Sequence, residues 1–186
     1  MKKITTCFLA LFATALMATA QTPAEQKAWN AYMTPGDTHA MLAKSDGMWN
    51  TALKMWMEPG KPPTESKGTA ENKMILGGRY QQSTYKGDFM GMPFEGQGTL
   101  AYDNKRKVFI NSWIDNMGTG IMIMEGKWNA AAKTINFTGK QTDPLTGAMM
   151  PCRETFKIID DNTQMMTMWC TQKGKEMKTM EITFTR

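Results

Sequence analysis

Apolar and polar residues alternate with period two along most of this chain. Within residues 47–58, Trp49, Leu53, Met55 and Met57 share one parity, and Asn50, Lys54 and Glu58 share the other. Such alternation marks a β-strand with one buried face. Met48 and Trp56 break the polar side, so the outer face is not wholly polar. Nine further strand-like runs follow, near residues 66–75, 79–85, 96–102, 108–114, 119–125, 134–139, 152–159, 164–171 and 175–185. Turn residues separate them: Gly77-Gly78, Lys86-Gly87-Asp88, Asp103-Asn104, residues 115–118, Asp143-Pro144 and Lys173-Gly174. Many short strands with tight turns and no intervening helix predict an all-β domain, a sandwich or a barrel. A single antiparallel up-and-down β-barrel of about ten strands is favoured, because closure removes exposed edges.

The chain before the first strand reads differently. Thr22-Pro23-Ala24-Glu25 is a capping box with proline at the first helical position. A helix carrying Trp29, Tyr32 and Met33 follows, and Thr34-Pro35-Gly36-Asp37 opens a second with Met41 and Leu42. Both are expected to pack on the barrel as a lid or plug. Earlier still, Lys2 and Lys3, an apolar run over residues 8–17 and Ala18-Thr19-Ala20 form the pattern of a cleavable export signal. The run is too short to span a membrane, and Cys7 sits at its start, where no lipid anchor is expected. The predicted organisation is therefore a signal over residues 1–20, a helical cap over 21–44 and a barrel over 45–186, in a periplasmic or secreted protein.

Charge narrows the function classes. The formal net charge is +5 and falls to +3 without Lys2 and Lys3, with the basic residues scattered. That is no footprint for nucleic acid. Two cysteines remain after the signal, Cys152 and Cys170. If residues 160–162 form a three-residue turn, each cysteine lies eight positions from it, and the two face each other across a hairpin. Directly opposed strand residues are within disulfide range, and an exported chain meets an oxidising compartment, so a Cys152–Cys170 disulfide is expected. A two-residue turn would leave them one step out of register.

Two resemblances add to this reading. Gly47-Met48-Trp49 at the head of a strand resembles the lipocalin/calycin superfamily. There the tryptophan plugs one barrel end and a basic residue of the last strand packs over it. Gly47, Trp49 and Arg186 are then the implied closure residues, and Met180, Ile182, Phe184 and Arg186 do share a parity. A more specific series comprises His39, Gly77-Gly78-Arg79-Tyr80, Met92-Pro93-Phe94-Glu95-Gly96, Ala101-Tyr102-Asp103-Asn104 and residues 112–119. It resembles a bacterial exported family known as domain of unknown function fifteen-seventy-nine, from about His39 onward. The resemblance implies one barrel domain and no activity.

Catalytic signatures are absent: the chain has no G-x-S-x-G, H-E-x-x-H or P-loop. Its single histidine, His39, makes neither a triad nor a zinc site, and no barrel strand offers a histidine to a haem. No cofactor or resident metal is expected. Methionine is the unusual feature, with 20 in all. The pairs Met55/Met57, Met90/Met92, Met122/Met124 and Met166/Met168 each point one way on a strand. Flexible thioethers suit an apolar interior or an adaptable ligand site, and as soft ligands they also suit copper(I). Arg79, Tyr85, Trp113 and Asp115 are candidates for polar groups at a barrel mouth, with Arg79 able to hold a carboxylate. The expected ligand site thus comprises Trp49, Met55, Met57, Arg79, Tyr85, Trp113, Asp115, Met122 and Met124. The favoured reading is a barrel binding a small hydrophobic ligand. The alternatives are a copper(I) binder, a cofactor-free lyase or isomerase using Arg79, Tyr85 and Asp115, and a barrel filled by its own side chains.

Overall fold

A computed structural model describes residues 22–172 and 174–186 of the chain. The expected export signal and Cys7 lie outside the described residues. Two short helices, α1 (Pro23–Met33) and α2 (Asp37–Ala43), precede ten strands. These are β1 (Gly47–Met55), β2 (Thr64–Ile75), β3 (Tyr80–Phe89), β4 (Met92–Asp103), β5 (Val108–Asp115), β6 (Met122–Asn129), β7 (Thr134–Thr142), β8 (Met149–Asp160), β9 (Thr163–Gln172) and β10 (Lys175–Thr185). Each strand pairs antiparallel with its sequence neighbours, and β1 pairs with β10 from Asn50↔Thr185 to Met55↔Met180. The sheet closes on itself, as the period-two pattern and tight turns predict.

Some boundaries differ from the sequence reading. Lys86-Gly87-Asp88 is not a turn but the interior of β3, and the chain reverses at Met90-Gly91 instead. Both residues there have positive φ, which a tight reversal demands and Gly91 supplies at no steric cost. Gly87 serves a different purpose: it stands opposite Gly68 on β2, where an added Cβ on Gly68 would lie 2.4 Å from the Lys86 carbonyl oxygen. Residues 119–121 belong to the β5–β6 loop, and β6 begins at Met122.

The Cys152–Cys170 disulfide is present, across a directly paired position of β8 and β9 with Cα atoms 4.1 Å apart. The register arises by a route the sequence reading did not foresee. The turn itself holds two residues, because Asp160 pairs with Thr163, and a bulge between Ile158 and Asp160 restores the alignment. A bulge adds one unpaired residue to one strand, which here does the work of a third turn residue.

One barrel end is closed. Trp49 is buried (1% exposed) and its indole N–H donates to the Ser45 carbonyl (2.9 Å). The Arg186 guanidinium lies 4.3 Å from the Trp49 ring centroid. It also donates to the carbonyls of Lys44, Asp46 and Asp161, at 2.9, 2.9 and 3.0 Å. α2 seals the same end through buried Leu42 and His39. The His39 Nδ1 accepts from the Gly36 N–H, and burial holds the imidazole's pKa below its ordinary value, in the neutral form. His39 is thus part of the plug. α1 differs from the expected lid. None of its residues is buried, Trp29, Tyr32 and Met33 are about half exposed, and the Asn104 amide holds the carbonyls at its end.

Two outcomes follow for stability. Replacing both cysteines by alanine should cost about 2–4 kcal/mol, the usual worth of a native disulfide, read from urea unfolding. Arg186→Lys should lose most of what Arg186→Ala loses, about 1–3 kcal/mol, because one ammonium cannot serve three carbonyls and an indole face together. Equal stability of Arg186→Lys and wild type in the same titration would contradict this.

Candidate functional site: an apolar cavity with a buried carboxyl

The inward faces of the strands do not fill the barrel. They enclose a cavity of about 380 Å³, within the size range of small-molecule sites, roughly 300–1,000 Å³. Aromatic rings from five strands meet across the interior. Tyr85 on β3 meets Trp113 on β5 edge-on at 4.9 Å and Phe184 on β10 at 6.0 Å. Phe184 in turn meets Phe156 on β8 at 6.2 Å, and Phe94 on β4 stacks against Trp113 at 6.5 Å. Gly96 makes room for the Trp113 ring, since a Cβ there would lie 2.4 Å from it. Much of the remaining lining is methionine, namely Met55, Met117, Met122, Met124, Met166, Met168 and Met180.

At the closed end the lining turns polar, and most of those groups are engaged. Gln164 donates to the Ser45 hydroxyl (2.8 Å), and Gln81 donates to the Leu42 carbonyl (2.8 Å) and to Asp46 (3.0 Å). The Asn72 side-chain nitrogen donates to the Ser45 carbonyl (3.2 Å), while its oxygen is buried without a hydrogen-bond partner among the described residues.

The exceptional group is Glu154. It points inward from the middle of β8, is 7% exposed, and lines the cavity. Its neighbours on the inner face are apolar: Phe137 across to β7, Met168 across to β9, and the Cys152 and Phe156 positions along its own strand. No hydrogen bond or ion pair to Glu154 occurs among the described residues. Burial alone pushes its pKa from 4.5 up to about 7, as desolvation of a carboxylate must. Tyr85, which lines the same cavity, is partly buried. Burial, and then the Glu154 charge, raise the phenol's pKa and keep it protonated.

The residues expected from the sequence divide into two groups. Met55, Tyr85, Trp113, Asp115, Met122 and Met124 line this cavity. Trp49, Met57 and Arg79 do not. Trp49 is the plug beneath it, and Met57 lies past the end of β1, 62% exposed. Arg79 precedes β3 in a tight turn and folds back onto the Leu76 carbonyl (3.1 Å), outside the barrel. Arg79 therefore does not converge with Tyr85 and Asp115. Asp115 is itself engaged: it accepts from the Trp113 indole N–H (2.7 Å) and the Met117 amide (2.9 Å). Glu154 was not among the expected residues, although period two counted from Cys152 places it on the same face.

The cavity also reaches the wall between β2 and β3. These strands pair only up to Gly68↔Gly87. Beyond that point residues 64–67 pair with β1 and residues 88–89 pair with β4, and Ser66, Lys67, Asp88 and Phe89 all border the cavity.

A closed antiparallel ten-strand barrel around an apolar cavity is the architecture of a calycin-like barrel. The chain belongs to the family described as Protein of unknown function (DUF1579), whose profile matches residues 34–186. Among solved structures it is similar to Rv2717c from M. tuberculosis, with a TM-score of 0.62 and 13% identity over 82% of this chain and 99% of that one. At that identity the likeness concerns the fold alone. A redesigned β-barrel is more distant, with a TM-score of 0.40 and 10% identity over 78% of this chain and 93% of that one. No curated protein sequence matches the chain.

The Glu154 environment yields a pH-dependent prediction. Its folded pKa is raised, so the fold carries no penalty while the group is neutral below pH 4.5. Stability is lost as the pH rises through about 7, where the buried carboxyl ionises. Glu154→Gln keeps the shape and removes the charge. It should stabilise the protein at pH 8 by about 1–3 kcal/mol and change little at pH 4.5, as measured by urea unfolding at the two pH values.

Proposed function

We propose that this protein is an exported barrel that binds a small, largely apolar molecule in its interior. The observation that carries this reading is the cavity of about 380 Å³ lined by methionine, phenylalanine and tryptophan side chains. A chain that needed only a stable core would fill such a space, because empty volume costs stability. Methionine suits the role, since an unbranched thioether side chain adapts to the shape beside it. Export is supported by the signal-like residues 1–20 and by a disulfide of the kind that persists in oxidising compartments. The lyase or isomerase reading has less support, because Arg79 stands outside the cavity.

A specific observation favours a second reading, copper(I) binding: seven methionines border one cavity, including both members of the pairs Met122/Met124 and Met166/Met168.

One set of measurements separates the two. A neutral solvatochromic naphthalene dye should bind saturably at one per chain. Ser83→Phe, which directs a ring into the cavity from β3, should weaken it at least tenfold. Native mass spectrometry with added copper(I) should show no tightly held ion. Absence of dye uptake would remove the apolar-ligand reading. One retained copper, lost when Met122 and Met124 become leucine, would favour the metal.

A further inference from the structure

We propose that the cavity's ligand is a small apolar amine, carried as its ammonium ion, with Glu154 as its counter-ion. This inference rests on the reading that the cavity binds an apolar molecule, and it names the head group that molecule carries.

Glu154 is the carboxyl set deepest in the apolar lining, 93% removed from solvent by its 7% exposure, and without a hydrogen-bond partner among the described residues. The other titratable side chains facing the cavity from packed strands are Tyr85 on β3 and Asp115 on β5, and neither supplies positive charge. Lys67 and Lys86 border the cavity beside the β2–β3 gap, but they belong to the outward parity of their strands and are exposed. Asp88 at the same gap shares that outward parity, is likewise exposed, and accepts from the Gly91 amide. A carboxylate ligand would therefore place a second anion beside Glu154 in a medium of low dielectric. An ammonium would neutralise it. A buried charge is tolerated when paired, and Glu154 has no pair among the described residues.

The contacting rings of Trp113, Tyr85, Phe184 and Phe156 cross the interior from β5 and β3 to β10 and β8, and end at Phe156, two residues from Glu154 on the same inner face. Aromatic faces attract ammonium ions, most strongly where water is excluded. A carboxylate set among aromatic rings is the arrangement that recognises an amine attached to an apolar body. The uncharged hydroxyl of Tyr85, for which burial and the Glu154 charge both oppose ionisation, offers a further acceptor in the same cavity. An alcohol would satisfy one hydrogen bond but leave the carboxyl uncompensated.

The test compares heads on one tail. Decylamine, decan-1-ol and decanoate are titrated into wild type and into Glu154→Gln at pH 7.5, below micelle-forming concentrations, by displacement of the neutral naphthalene dye and by calorimetry. Decylamine should bind wild type at least tenfold more tightly than decan-1-ol, with decanoate weakest. The protein's own net charge of +3 after the signal works against that order, so general surface attraction cannot produce it. Glu154→Gln should bring the amine down to the level of the alcohol and leave the alcohol unchanged. If the alcohol or decanoate equals the amine on wild type, the amine inference is overturned while the apolar-ligand reading stands. The same holds if the dye binds and none of the three displaces it. If neither dye nor any tail binds, both readings fall. The wild-type series decides the matter even if the variant folds poorly.

Discussion

A guanidinium laid on an indole joins the two ends of the sheet. Arg186 follows β10 and Trp49 lies in β1, so their contact sits at the seam where the first strand meets the last. The same side chain also reaches the backbone of Lys44 and Asp46, which connect α2 to β1, and of Asp161, in the β8–β9 turn. Two segments far apart in sequence, residues 44–49 and the turn at Asp161, thus converge on one planar cation with a fixed fork of donors. Trp49 fills the space beneath, and α2 completes the seal. Everything above depends on that seal: without it the interior would be a wet tube, and neither the apolar lining nor the perturbed carboxyl would persist.

Above the seal the protein combines features that oppose its own stability. A void remains where side chains could have met, and a carboxyl stands in that void without a partner among the described residues. Departures from a well-packed, fully satisfied interior tend to mark functional sites. Here they coincide within one chamber. They also sit beside the strongest local restraint in the barrel, since Cys152 precedes Glu154 by two residues and the disulfide ties β8 to β9 at that level. The wall bearing the charge is the wall that is covalently fastened.

Much of this was legible in the sequence. All ten strands are visible as period-two runs, because an inward face lined by Trp49, Tyr85, Phe137 and Phe184 alternates with a solvated one. The cysteine pair was legible too, although the bulge at Ile159 that aligns it was not, since bulges leave no fixed residue signature. The Lys86–Asp88 segment misled because Gly87 beside charged residues looks like a turn; only the facing glycine on β2 reveals its purpose. The site was half legible. Parity identifies which residues face inward but not how far along the axis they lie, so Trp49 and Met57 fall outside the cavity while sharing the parity of Met55. Arg79 lies one residue before β3, where parity no longer governs direction. Glu154 was overlooked because charged residues are ordinarily assigned to the outer face. The alternation Cys152, Glu154, Phe156 contradicts that habit and was the available signal.

The parting of β2 and β3 beyond Gly68 and Gly87 means that this barrel is not free of edges. Each strand continues past the last shared pair with one side of its backbone unmatched among the described residues. Such a stretch is a template for pairing with another chain, and soluble proteins guard it with charge. Here Glu65, Lys67, Lys86 and Asp88 are all exposed beside the opening. A second strand approaching this edge, from a neighbouring copy or an unfolded chain, would have to bury ions of both signs. The charged flank thus opposes strand addition at the one place where β2 and β3 part.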